Sequence, residues 1–121
     1  TAFYDAPSTG EAANTLSGAP VSAGVVEGVV RVVFNPHGVQ LTPGEILVCP
    51  ATDPAWTPLF LAAGGLVMEV GGMMTHGSVV AREYGIPAVV GVSQATTRLQ
   101  TGQRVRVDGG SGVITVLEDQ T

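Results

Sequence analysis

His76 is one of only two histidines in this 121-residue chain, and its surroundings give it chemical options that the other, His37, lacks. The apolar run Leu66 to Val70 leads into Gly71-Gly72-Met73-Met74-Thr75-His76, and Gly77 to Tyr84 then reads as a helix closed at Gly85. Strand, glycine turn and helix N-terminus therefore meet at one imidazole. With an ordinary pKa of about 6.5, an imidazole is largely neutral near pH 7 and can act as a nucleophile. A phosphoryl group placed on it here would face the free amides and the positive end of a helix dipole. Gly72, with Gly71, allows the backbone to approach a phosphate, and Gly77 is expected to keep access open beside the ring. Thr75 and the amides after it, those of Gly77 and Ser78, are expected to steady the phosphoryl group. Arg82, six residues past His76, can pair with Glu69 or Glu83 or reach an incoming phosphate.

Each of these residues also has a plainer reading. Thr75 can be an N-cap, Arg82 a structural ion pair, and the glycines a tight turn. Met73 and Met74 fit packing or a flexible apolar contact surface. His37, in Asn35-Pro36-His37-Gly38, reads as a surface loop residue.

Composition removes several other classes. The five basic residues are all arginine against ten acids, for a net charge of -5, with no basic run to track a nucleic-acid backbone or an anionic membrane. The chain contains no lysine, which excludes a lysine-containing P-loop and Schiff-base chemistry. Neither histidine has the neighbours that a zinc site needs, so no metal ligand is expected, and no G-x-S-x-G elbow supports a serine hydrolase. Cys49 is the sole cysteine and lies in the apolar run Ile46-Leu47-Val48-Cys49, where a buried thiol is expected. No stretch reaches the roughly 20 apolar residues of a membrane span and no signal-peptide pattern opens the chain, so a cytoplasmic setting is expected.

With 45% hydrophobic and 12% charged residues, the chain can bury a single core. Residues 1–17 read as a linker or tail from a longer parent protein, and residues 18–121 as one domain. Val21 to Phe34 carries two β-branched runs broken at Gly24 and Gly28, as in strands with a bend or bulge. A turn at Thr42 to Glu45 precedes a buried strand at Ile46 to Val48. Asp53-Pro54 starts a helix that Gly64-Gly65 stops, with Trp56, Leu59, Phe60 and Ala63 as core. Ala88 to Val92 is a further strand, and Arg104 to Val107 with Val113 to Leu117 form a hairpin around Asp108 to Gly112. The fold class is α/β, with a mixed, barrel-like sheet and short helices.

The run from Gly71 to Gly91, GGMMTHGSVVAREYGIPAVVG, closely resembles the signature of the mobile, swivelling phosphohistidine domain of phosphoenolpyruvate (PEP)-utilising enzymes. Pro43 to Val48, Gly102 to Val105 and Asp108-Gly109 extend the resemblance over roughly residues 18 to 117. Ser78 stands where alanine is usual. The resemblance implies a swivelling β/β/α fold in which His76 is phosphorylated. It also implies an ATP-grasp nucleotide-binding domain and an acceptor or PEP-binding domain as partners. No cofactor is expected on this domain; Mg2+ and ATP belong to those partners.

The expected function is a phosphohistidine carrier domain of a phosphoenolpyruvate synthase-like phosphotransferase, inactive alone, relaying phosphoryl through His76 to pyruvate or another acceptor. The same chemistry in a rifampicin phosphotransferase is the first alternative. A non-catalytic regulatory or interaction module on the same fold is the second, and a small hydrolase ranks last.

Overall fold

The structure is a computed structural model that describes residues 15–72 and 74–118. Residues 1–14 of the expected linker, and Met73, lie outside the described residues. Eight strands follow in chain order: β1 (Thr15–Ser17), β2 (Ala19–Ser22), β3 (Val25–Val32), β4 (Ile46–Cys49), β5 (Gly65–Met68), β6 (Ala88–Val90), β7 (Arg104–Asp108) and β8 (Val113–Glu118). Three α-helices join them, α1 (Thr57–Phe60), α2 (His76–Tyr84) and α3 (Ala95–Arg98), with a 3-10 turn at Pro54–Trp56 leading into α1.

The strand order is β1-β8-β7-β3-β4-β5-β6-β2. β3 is the pivot. Its first part, Val25 to Val29, pairs antiparallel with β7, and its second, Val30 to Val32, pairs parallel with β4. β4, β5 and β6 continue the parallel ladder, and β2 closes it antiparallel. The outermost strands β1 and β2 are separated by Gly18 alone, whose N–H donates to the Gly112 carbonyl at 2.9 Å. The sheet thus curls until its ends adjoin, which is the barrel-like character expected.

The parallel strands are buried on both faces, and this explains their unbroken apolar runs. Leu47, Cys49, Leu66, Met68, Ala88 and Val90 face one core with Trp56, Leu59, Phe60, Ala81 and Ile86. Ile46, Val48, Val67 and Val89 face a second with Val105, Val107, Ile114 and Leu99. Two sheets and a helical layer result, the β/β/α arrangement, and each large side chain buried this way contributes about 1.5–3 kcal/mol.

Three expectations change in detail, and one element is added. Thr15–Ser17, placed in the linker by sequence, pair with β8 as a strand. Gly28 does not break β3, which runs unbroken through it; a Cβ there would lie 2.5 Å from the Gly44 carbonyl, so the glycine admits the Thr42 to Glu45 turn. The helix begun at Asp53 ends at Phe60 rather than at Gly64, because the Gly64 N–H must reach the Glu45 carbonyl at 2.8 Å and start β5 at Gly65. The short helix α3 was not foreseen from sequence.

Candidate functional site

Parallel strands send their carboxyl ends, and the loops after them, to one edge of the sheet. Pro50 to Asp53 follows β4, and Gly71 to Thr75 follows β5, so these two loops are neighbours although far apart in sequence. Backbone bonds prolong the ladder past the strand ends: Glu69 N–H donates to the Cys49 carbonyl and Val70 N–H to the Pro50 carbonyl, at 3.1 and 3.0 Å. The Glu69 carboxylate accepts from the Thr96 amide at 2.8 Å and from its hydroxyl, which ties the first turn of α3 to the same edge.

His76 opens α2 there and is partly buried. Its Nδ1 lies 3.0 Å from Thr52 Oγ1. The Phe60 ring meets the imidazole edge-on, with centroids 6.1 Å apart and planes at 64°. Nδ1 is thus engaged by a hydroxyl, and the ring packs against a buried aromatic. In the tautomer with a lone pair on Nε2, Nδ1–H donates to Thr52 Oγ1. α2 then ends as its sequence foretold: Gly85 takes φ 70°, and the Ile86 N–H reaches back to the Ala81 carbonyl at 2.9 Å.

The glycine turn before His76 is held by hydroxyls. Gly72 has φ 110°, a conformation open to glycine, and its carbonyl accepts from Ser78 Oγ at 2.8 Å and Thr75 Oγ1 at 3.1 Å. The two hydroxyls are 2.9 Å apart. Thr75 occupies the N-cap position, yet its side chain makes no cap hydrogen bond. The amides of the first turn, including those of Gly77 and Ser78, have no acceptor within the helix.

Other expected site residues have different tasks. Gly77 is buried, and a Cβ on it would fall 2.8 Å from Met68 Sδ and 2.9 Å from Thr52 Oγ1, so its smallness lets α2 sit against the Thr52 loop rather than opening access to the ring. Ser78 is wholly buried, with its hydroxyl turned to Gly72 and Thr75. Arg82 lies about 120° around the helix from His76 and some 9 Å along it. Its Nη1 is 3.5 Å from the Val21 carbonyl on β2, while Glu69, its suggested partner, accepts from Thr96. His37 is exposed, and its N–H donates to Asn35 Oδ1, as a loop residue would. Among the described residues no group of three or more His, Cys, Asp or Glu gathers as a metal site, and no helix is long and apolar enough to cross a membrane.

Sequence reasoning missed Thr52 and the contact of Phe60 with the ring. The available signal was topological: two consecutive parallel strands deliver their following loops to the same edge. Met74, at 84% exposure, and Leu61, at 75%, add apolar surface beside these elements.

The family described as "PEP-utilising enzyme, mobile domain" matches residues 41–112, more than half of the chain. A rifampicin phosphotransferase of Streptomyces sviceus is 59% identical over 102 residues, spanning 84% of this chain and 12% of that protein. A probable phosphoenolpyruvate synthase of Staphylothermus marinus is 43% identical over 107 residues, 86% of this chain and 13% of that protein. The chain therefore spans about an eighth of the length of these relatives. Among solved structures, an enzyme I protein determined by NMR superposes with a TM-score of 0.56 at 30% identity, over 66% of this chain and 33% of that one.

Proposed function

Because the chain belongs to the family of PEP-utilising enzyme mobile domains, we propose that His76 is its phosphoryl carrier and that Nε2 is the atom that bears the group. The observation that carries this reading is the 3.0 Å contact between Thr52 Oγ1 and His76 Nδ1. With Nδ1–H donating to Thr52 Oγ1 the lone pair lies on Nε2, and His76 is the first residue of a nine-residue helix.

In the first transfer the Nε2 lone pair attacks phosphorus, the N–P bond forms, and the bond to the donor's leaving oxygen breaks. Nδ1 keeps its proton and its bond to Thr52. The positive charge gained by the imidazole is shared with that hydroxyl, while the phosphoryl oxygens meet first-turn amides and the Thr75 hydroxyl. In the second transfer an acceptor oxygen attacks phosphorus and the electron pair returns to Nε2. Thr75 touches the group directly, and Gly72 and Gly77 act through the turn and the helix start. Ser78 acts through Thr75 and Gly72, and Arg82 through its contact with β2.

The chain works as one domain of a larger phosphotransferase, with the nucleotide, Mg2+ and final acceptor held by partner domains. The site itself offers a ring nitrogen, hydroxyls and amides. The 59% identity to a rifampicin phosphotransferase, against 43% to a probable phosphoenolpyruvate synthase, favours a rifampicin-type acceptor over the synthase-like reading that the sequence placed first. The test is His76→Ala in the parent protein, assayed with rifampicin and with pyruvate. Loss of transfer with the fold retained is expected, and transfer to rifampicin in the unaltered protein. Unchanged transfer in the variant would leave the domain as a non-catalytic module.

A further inference from the structure

The hydroxyls of Thr75 and Ser78 and the carbonyl of Gly72 form a triangle with sides of 2.8, 2.9 and 3.1 Å. Two protons serve three contacts, so one contact is always without a hydrogen. The members differ in access. Ser78 is at 0% exposure and has the shorter reach to Gly72, whereas Thr75 is partly exposed and precedes His76 directly. Were residue 78 alanine, the Thr75 hydroxyl would be the one side chain of this triangle left to hold the Gly72 carbonyl.

We propose that Ser78 is a positioning residue: its proton holds the Gly72 carbonyl, and this frees the Thr75 proton to swing to a phosphoryl oxygen on His76 without opening the glycine turn. The inference rests on His76 being the phosphoryl carrier. It adds the residue that makes Thr75 available. In the unphosphorylated protein Thr75 donates within the triangle; in the phosphorylated protein it donates to the phosphoryl group, and Ser78 alone keeps the turn closed. Hydrolysis of a phosphoimidazole passes through a loose transition state in which negative charge leaves the phosphoryl oxygens for the departing group. A donor on those oxygens therefore stabilises the phosphorylated ground state more than the transition state and prolongs its life.

The test uses the 121-residue chain carrying His37→Ala, so that His76 is its single imidazole. Potassium phosphoramidate serves as donor: Nε2 attacks phosphorus, the P–N bond of the reagent breaks, and ammonia leaves. Decay of the adduct is then followed by intact mass. Water attacks phosphorus, the N–P bond breaks, and phosphate departs. Ser78→Ala is expected to shorten the adduct lifetime about threefold to tenfold, a part of the roughly tenfold to hundredfold worth of one hydrogen bond to a charged group, because the donor also serves the transition state. In a Thr75→Val background Ser78→Ala is expected to change nothing further, and in Thr75→Ser, which keeps a hydroxyl, its effect returns. Equal shortening in the Thr75→Val and Thr75→Ser backgrounds, or none in either, would overturn the inference. Absence of any adduct on His76 would instead overturn the carrier reading on which it rests.

Discussion

Thr52 and His76 are 24 residues apart in sequence, yet Thr52 Oγ1 stands 3.0 Å from His76 Nδ1. That pair makes a loop threonine the hydrogen-bond partner of the ring. Thr52→Val keeps the shape and removes the polar atom. It is expected to slow phosphorylation of His76 about tenfold to a hundredfold, the loss of one hydrogen bond to a group that becomes charged, and Thr52→Ser to restore most of the rate. Nitrogen-15 spectra of the ring provide the check, since the wild type is expected to show Nδ1 protonated and Thr52→Val a mixture of tautomers.

Gly77 is the packing counterpart of that pair. A methyl group at position 77 would press on Met68 Sδ and on Thr52 Oγ1. Met68 is buried and has little room to yield. Gly77→Ala is therefore expected to cost about 1–3 kcal/mol by urea unfolding. It should also slow His76 phosphorylation, because the Thr52 hydroxyl is pushed from its place. A stability loss with an unchanged phosphorylation rate would show that Thr52 can move without consequence.

Stability is expected to fall at both ends of the pH range. Burial first, and the nearby Glu69 charge second, push the Cys49 thiol up from 9.0 to about 12. Between those values the unfolded chain has released a proton that the folded thiol retains, so stability declines as pH rises from about 9 to about 12. Cys49→Ala is expected to flatten this alkaline slope in urea titrations, and Glu69→Gln to reduce it only in part. The native thiol is likewise expected to resist alkylation at pH 8. In acid, the Ser111 amide, then its side chain, and the Gly110 amide hold the Asp108 carboxyl below its usual 3.8. That contribution is present above the ordinary carboxylate range and disappears as pH falls through the lowered value.

What the sequence disclosed and what it withheld divide along local and non-local lines. The histidine at a helix start, the glycine that ends α2 and the β7–β8 hairpin depend on residues within a few positions of one another, and their types alone specify them. The double-sided burial of β4 to β6 was legible in their continuous apolar runs. Thr52 was not, because its role exists only once two parallel strands lie side by side. Gly28 looked like a break since glycine weakens strands, but its reason is the approach of the Gly44 carbonyl from another turn. Ser78 read as a small-for-small change, and only the triangle it forms with Thr75 and Gly72 gives its hydroxyl a purpose. For Arg82, placed by its spacing of six residues past His76, the 3.5 Å approach of Nη1 to the Val21 carbonyl on β2 was not legible, because those elements are far apart in sequence.

The central claim is most directly tested by incubating the chain with the partner domains of its parent protein and MgATP or phosphoenolpyruvate, then recording intact mass before and after brief acid treatment. The account predicts one acid-labile phosphoryl adduct that is absent in His76→Ala. No adduct with either donor while the partners are demonstrably active, or an adduct that survives in His76→Ala, would contradict it.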